Sequence, residues 1–286
     1  MTKKQLGIFL SVVLVIIAAL IVGIVLTDGL YEKDATIQET MQDAVLHEGD
    51  KINLFGMLVN PGLISAYIVT AVILVFAAIV RIFVIPRFKT VPGKFQLVLE
   101  EAVGMFDGMA KNSSPHRNRF LGAYIFAAAA YIFVGTLFEL FGFPWLTAAG
   151  QSVALPAPLS DINGAIALGC LSYLVILAGG ILSNRARGLG RTLKEFSLPI
   201  SMSFRLFGAL LSGMLVSELV YYYISLSFLL PVLVGVLFTV MHALVQAYVL
   251  ATLTSLIYGE VTEPYIKKSK VSAKDKHKKF KPEVNV

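Results

Sequence analysis

The stretch SLPISMSFRLFGALLSGMLVSELVYYYISLSFLL, residues 197–230, decides the fold of this chain, and its charged residues are Arg205 and Glu218 alone. As one helix rising about 1.5 Å per residue, the apolar run from Leu198 would be about 45–50 Å long, against a hydrocarbon core of about 30 Å. Such a helix must tilt, kink or run into the interface. An arginine inside it costs at least about 2.5 kcal/mol on the most lenient insertion scale, so it needs a carboxylate or water beside it. The next apolar run, Val232 to Tyr258, carries a polar pair of its own in His242 and Gln246. Together the two runs read as a long tilted helical hairpin and as the working part of an ion-translocating machine.

The remaining composition agrees. Of 286 residues 57% are hydrophobic and 15% charged, and the mean hydropathy is +0.77. Those values describe a multispanning membrane protein. The net charge of +6 does not point to nucleic acid, because the basic residues lie in loops between apolar runs and in a lysine-rich tail. One cysteine, Cys170, lies in an apolar run; it allows no disulfide framework and no thiol metal site.

Working outward, residues 1–27 contain a first apolar run, Leu6 to Leu26, which is longer than a cleaved signal core and is expected to stay as a first span. Residues 28–62 follow as an external loop, acidic through Glu32, Asp34, Glu39, Asp43 and Glu48. The second span is expected within Leu63 to Ile85, ended by Pro86. Lys94 to Lys111 has the spacing of an amphipathic helix on or near the membrane surface. The third span is expected over Phe120 to Phe141, the fourth over about Ala165 to Leu182, with a Pro/Ala/Gly-rich loop from Pro144 to Asp161 between them. A basic connection, Asn184 to Phe196, leads into the long helix, and its Gly188–Gly190 is too short to form a phosphate loop. Residues 260–286 form a tail with eight lysines, expected to be unstructured. With the N-terminus inside, six spans return the C-terminus inside. Every one of the 24 Lys and Arg except Arg205, Lys33 and Lys51 then falls at or near the inner side. The expected fold is an all-α integral membrane protein of six transmembrane helices, N-in and C-in, with residues 63–259 as its ion-translocating body.

Polar residues in these spans are the candidates for chemistry. Arg205 either marks a boundary by snorkelling or serves the machine. Glu218 lies thirteen residues on, about 20 Å along the axis and on another face, so it cannot pair with Arg205 within the helix. His242 and Gln246 share a face of the last helix. With the hairpin apex near Leu230, Glu218 and His242 are expected at similar depth, as a step for protons or a small cation or as a structural hydrogen bond. Glu139 and Asp161, near the outer ends of their spans, either line an aqueous entrance or are ordinary interfacial carboxylates. No phosphate-binding glycine loop, Cys/His metal spacing or Ser/His/Asp arrangement is evident, so no cofactor is expected.

At Arg205 to Gly208, RLFG, the sequence resembles subunit a of the F-type ATP synthases. SFRLFGALLSG is similar to that family's signature helix, with Pro199 six residues before the arginine. PLSDIN, Pro158 to Asn163, resembles the stretch that opens its fourth span, with Asp161 and Asn163. LVQAYVLATLTSLIY, Leu244 to Tyr258, resembles its closing helix, with Gln246. The likeness covers about Lys94 to Tyr258. It implies a stator subunit of a bacterial inner-membrane complex that makes no chemical bond itself. Its partners would be a ring of c subunits, a peripheral stalk subunit b, the lipid bilayer, and protons or sodium ions. Two aqueous half-channels would lead to the ring, and Arg205 would attract each ring carboxylate while blocking a direct leak. Three positions depart from the usual pattern: Ala209 stands for asparagine, Met214 for glutamate or histidine, and Thr239 for histidine or glutamate. Glu218 and His242 are expected to substitute for the missing pair. A secondary ion-coupled transporter would use the same charges, but no inverted repeat is visible between the halves. A membrane-embedded lipid transferase would gather polar residues at one interface, and here they are scattered. A structural anchor would have little use for Arg205 or Glu218.

Overall fold

In the computed structural model, residues 51–54, 56–146, 152–222 and 235–264 are described, along with the isolated helical positions Ser11, Val15, Ala18 and Val22. The expected first span as a whole, the acidic stretch to residue 50, the turn near Pro231 and the tail beyond 264 lie outside the described residues.

The described chain opens with a small antiparallel hairpin, β1 (Ile52–Leu54) and β2 (Met57–Val59), that turns at Gly56. Asn60 then caps α1 (Pro61–Ile79), accepting from the Gly62 N–H at 2.9 Å, and Pro61 takes the first turn, where its missing N–H has no partner to lose. A π turn (Val80–Val84) and a 3-10 turn (Ile85–Arg87) prolong this helix, so the second span is Pro61–Arg87 and Pro86 sits inside its last turn. The amphipathic pattern forms α2 (Lys94–Ser113), with Phe106 and Ala110 buried and Phe95, Leu97 and Val98 exposed. Next come α3 (Arg119–Leu140) and a second hairpin, β3 (Pro144–Leu146) with β4 (Ser152–Ala154). The last helices are α4 (Ile162–Asn184), α5 (Ala186–Lys194), α6 (Ser197–Tyr222), and α7 (Val240–Thr262), which continues a π turn at Gly235–Thr239.

Five helices among the described residues are long and apolar enough to cross a membrane: Pro61–Arg87, α3, α4, Ser197–Ser217 and Gly235–Thr262. The protein is mostly helical, consistent with the expected all-α membrane fold, and two short hairpins fall where loops were expected. Short strands there let the connecting backbone satisfy itself. The basic connection 184–196 is also a helix, α5. Its turn is made at Arg185, with φ of +51°, which folds the Gly188 backbone onto the Gly180 carbonyl, where any Cβ would collide. The glycine there matters for close approach, not for binding phosphate. The last helix ends at Thr262, three residues past the expected boundary.

Packing shows what positions the last two long helices. In lipid, helices associate through close backbone approach more than through expulsion of water. Ala128 and Ala129 of α3 share the core with Ala247 and Ala251 of α7, and α7 rests mainly on α3. Gly169 of α4 lies against Pro199 and Ser203 of α6, and α6 rests mainly on α4. The two helices therefore meet each other less than each meets an earlier span. Leu121, Ile125, Ile132, Ile176, Leu206 and Leu250 fill the centre.

Candidate functional site

Arg205 and Gln246 face each other across the groove between α6 and α7. Both line a cavity of about 10 Å³, walled by Met202, Leu206, Val249 and Leu250. That volume is about the least that admits one water. Gln246 is 7% exposed, and its Oε1 has no hydrogen-bond partner among the described residues. A buried amide oxygen left unpaired costs about 1–3 kcal/mol unless water, an ion or another chain meets it. Arg205 is exposed and makes no hydrogen bond or ion pair with any described residue.

The surface around Arg205 is unusual for a membrane helix. Ser201, Arg205, Gly208 and Ser212 are all exposed and fall at steps of four, three and four, one stripe along α6. A Cβ at Gly208 would touch nothing within 4 Å. Large apolar side chains flank the stripe, with Phe204 64% exposed on α6 and Tyr248 56% on α7. A charge on a small-residue stripe suits the close approach of another helix better than it suits acyl chains.

His242 sits further up the groove. Its ring tilts against Phe238, with centroids 5.9 Å apart, and lies beside Gly213 of α6. The helix register thus differs from the one expected. His242 comes opposite Gly213, five residues or about 7.5 Å of axis before Glu218. Counting symmetrically from Leu230 treated both arms as uniform α-helix, and the π turn at Gly235–Thr239 breaks that uniformity. The Glu218 side chain lies outside the described residues, and with it the expected Glu218–His242 pair. Glu139 is the penultimate residue of α3 and half-buried, and its neighbour Leu140 packs against Gly235. It therefore stands where α3 ends beside the start of the last helix, seven residues or about 10 Å along that helix from His242.

Asp161 and Asn163 belong to a separate place. Asp161 is the N-cap of α4: its Oδ1 accepts from the Asn163 N–H at 3.0 Å and from the Asn163 side-chain Nδ2 at 3.1 Å. It packs against Gly62 at the start of α1. Both residues line a cavity of about 590 Å³ between α1, α3 and α4, whose walls are mostly apolar. Tyr124 in that wall is tied to Ser172 by a 2.7 Å hydrogen bond between hydroxyls. Neither Glu139 nor Arg205 lines this cavity.

The structure thus joins Arg205 with Gln246, puts His242 about two turns of α6 away, and leaves Asp161 and Asn163 on another groove. Sequence reasoning missed Gly213, the position on α6 that lies beside the His242 ring. The available signal was a glycine within an apolar helix that carries an arginine eight residues earlier. It also missed Gly208, although the RLFG motif contains it. Among the described residues no group of three or more His, Cys, Asp or Glu could hold a metal ion. A family model described as the ATP synthase A chain matches residues 63–258.

Proposed function

Because the chain belongs to the ATP synthase A chain family, and so to the membrane sector of that enzyme, we propose that it is the ion-translocating stator against which a ring of c subunits turns. The observation that carries this reading is Arg205. It is a permanent cation on an exposed small-residue stripe of a membrane helix, and it has no carboxylate among the described residues. A carboxylate carried past on a second chain would lower the cost of both charges. Gln246, with its spare carbonyl in the same small cavity, would hold a water beside the guanidinium. Arg205 would hold each ring carboxylate ionised at the crossing point and keep ions from passing straight through.

Ions would reach that point by two offset half-channels. One follows the groove from Glu139 past Glu218 and His242, with His242 and Glu218 replacing groups that the family usually places at Met214 and Thr239. The second opens toward the basic end of the bundle. Asp161 and Asn163 would act on the path indirectly, by fixing the start of α4. The subunit would make no covalent bond; the ring, a peripheral stalk subunit b and the bilayer would be its partners. Its place would be a bacterial inner membrane, with both termini inside and α2 along the membrane surface.

The test is ATP-driven ion pumping by the whole complex in reconstituted vesicles, wild type against Arg205→Ala, in proton and in sodium buffers. Loss of pumping with the complex still assembled is the expected result, and the buffer that supports wild-type pumping names the ion. Unimpaired pumping would make Arg205 a boundary residue and end this reading.

A further inference from the structure

At the basic end of the bundle, where α3 begins and α4 ends, lies a cavity of about 780 Å³. Its rim carries Arg117 and Arg119, and its walls are built partly from Phe120, Ala123, Ala178 and Leu182. Arg119 makes no hydrogen bond or ion pair with a described residue, and Arg117 spends one donor, Nη1, on the Leu182 carbonyl at 3.0 Å. Two guanidiniums on one rim repel each other unless an anion lies between them. His116, on the same rim, is engaged by the Thr262 hydroxyl at 3.1 Å.

The walls narrow the choice of anion. Phe120 and Leu182 are 65% and 66% exposed, and Ala123 lies one helical turn deeper than Arg119, about 6 Å into the apolar part of the bundle. Free phosphate would use the arginines and leave this slot empty. A molecule with a phosphate at one end and hydrocarbon behind it uses both. Arg119 is the first residue of α3 and Arg117 lies two residues before it, at the depth of lipid headgroups. A zwitterionic headgroup would bring its own cation to the arginine pair, and an anionic headgroup would not.

We propose that this cavity binds an anionic phospholipid of the surrounding bilayer, its phosphate between Arg117 and Arg119 and an acyl chain along Phe120, Ala123, Ala178 and Leu182. The lipid would bridge the start of α3 to the end of α4. It is separate from the groove that holds Arg205, which neither arginine lines.

The experiment uses the intact complex in vesicles doped with photoactivatable phosphatidylglycerol or with phosphatidylcholine of the same chains, and maps the labelled peptides of this subunit. Peptides covering 117–123 and 175–182 should take phosphatidylglycerol about tenfold over phosphatidylcholine. Arg117→Gln with Arg119→Gln should bring the two lipids level there, while Arg87→Gln, at the end of α1, should leave the preference intact. Equal labelling by the two lipids in the wild type, or a preference undiminished in the double variant, would overturn the proposal. Loss of labelling on adding inorganic phosphate would overturn it too, and would assign the cavity to free phosphate. If the double variant fails to assemble, the wild-type ratio of the two lipids and the phosphate competition decide the matter.

Discussion

Thr262 and Gln246 lie on the same helix, sixteen residues or about 24 Å apart, and are treated in opposite ways. The Thr262 hydroxyl meets Ser114 at 3.2 Å and His116 at 3.1 Å, and its carbonyl accepts from Ser183 at 2.7 Å. Around it Asn184 donates to the Val261 carbonyl at 3.1 Å, and Arg191 to that of Glu263 at 3.0 Å, so the orphan carbonyls of the α7 end are taken up by α4 and α5. Gln246 is buried too, yet its Oε1 has no partner among the described residues, and Arg205 beside it has none either. At the basic end polar groups tie helices together. In the α6–α7 groove they stand unspent, as a site must whose partner arrives from elsewhere.

That contrast breaks most sharply at Arg205. Arg205→Ala removes no hydrogen bond seen among the described residues, so assembly should survive while coupled pumping is lost. If the complex instead fell apart with pumping normal per assembled unit, the groove would be structural like the basic end. A smaller effect is expected for Glu218→Gln combined with His242→Ala. If these residues replace the family's usual pair, ATP synthesis driven by an ion gradient should fall roughly tenfold or more. Intact coupled synthesis in that double variant would remove both residues from the path.

The reverse result is expected at Thr262. Thr262→Val keeps the shape but strands the His116 ring nitrogen and takes one of two partners from the Ser114 hydroxyl, which still donates to the Arg117 carbonyl at 3.3 Å. The cost should be about 1–3 kcal/mol of stability, read as earlier thermal dissociation of the complex, with pumping per assembled complex unchanged. A pumping defect without loss of stability would mean that the hydroxyl cluster carries ions, and the comparison would collapse from its other side.

The legible and illegible parts of the chain divide along physical lines. Spans were readable because about 20 consecutive apolar residues have few other uses; the ends of α3 and α4 fall within about three residues of those expected. Arg205 and Gln246 were readable because charge and amide are costly at that depth. Their sharing one cavity was not derivable from spacing, since it depends on how α6 and α7 slide along each other. That sliding is set by contacts with third parties, Gly169 against Ser203 and the alanines of α3 against those of α7. The hairpins at 52–59 and 144–154 and the helix α5 escaped because their stretches are short and their patterns too brief to show a period.

Asp161 gives the smallest effect and the finest discrimination. Its carboxylate lines a cavity at the start of α4, which suits an ion entrance, but its Oδ1 also caps that helix. The two roles respond differently to substitution. A cap needs an acceptor, not a charge, so Asp161→Asn should hold α4 while Asp161→Ala releases its first turn. Hydrogen exchange at the first amides of α4, measured in the intact complex, should then quicken about fivefold in the alanine variant and little in the asparagine one. Pumping should be nearly normal in both. An entrance role predicts instead that asparagine slows pumping as much as alanine does while leaving exchange unchanged. The capping geometry favours the first outcome, because both donors that reach Oδ1 come from Asn163, and an acceptor occupied in this way serves the backbone before it serves a passing ion.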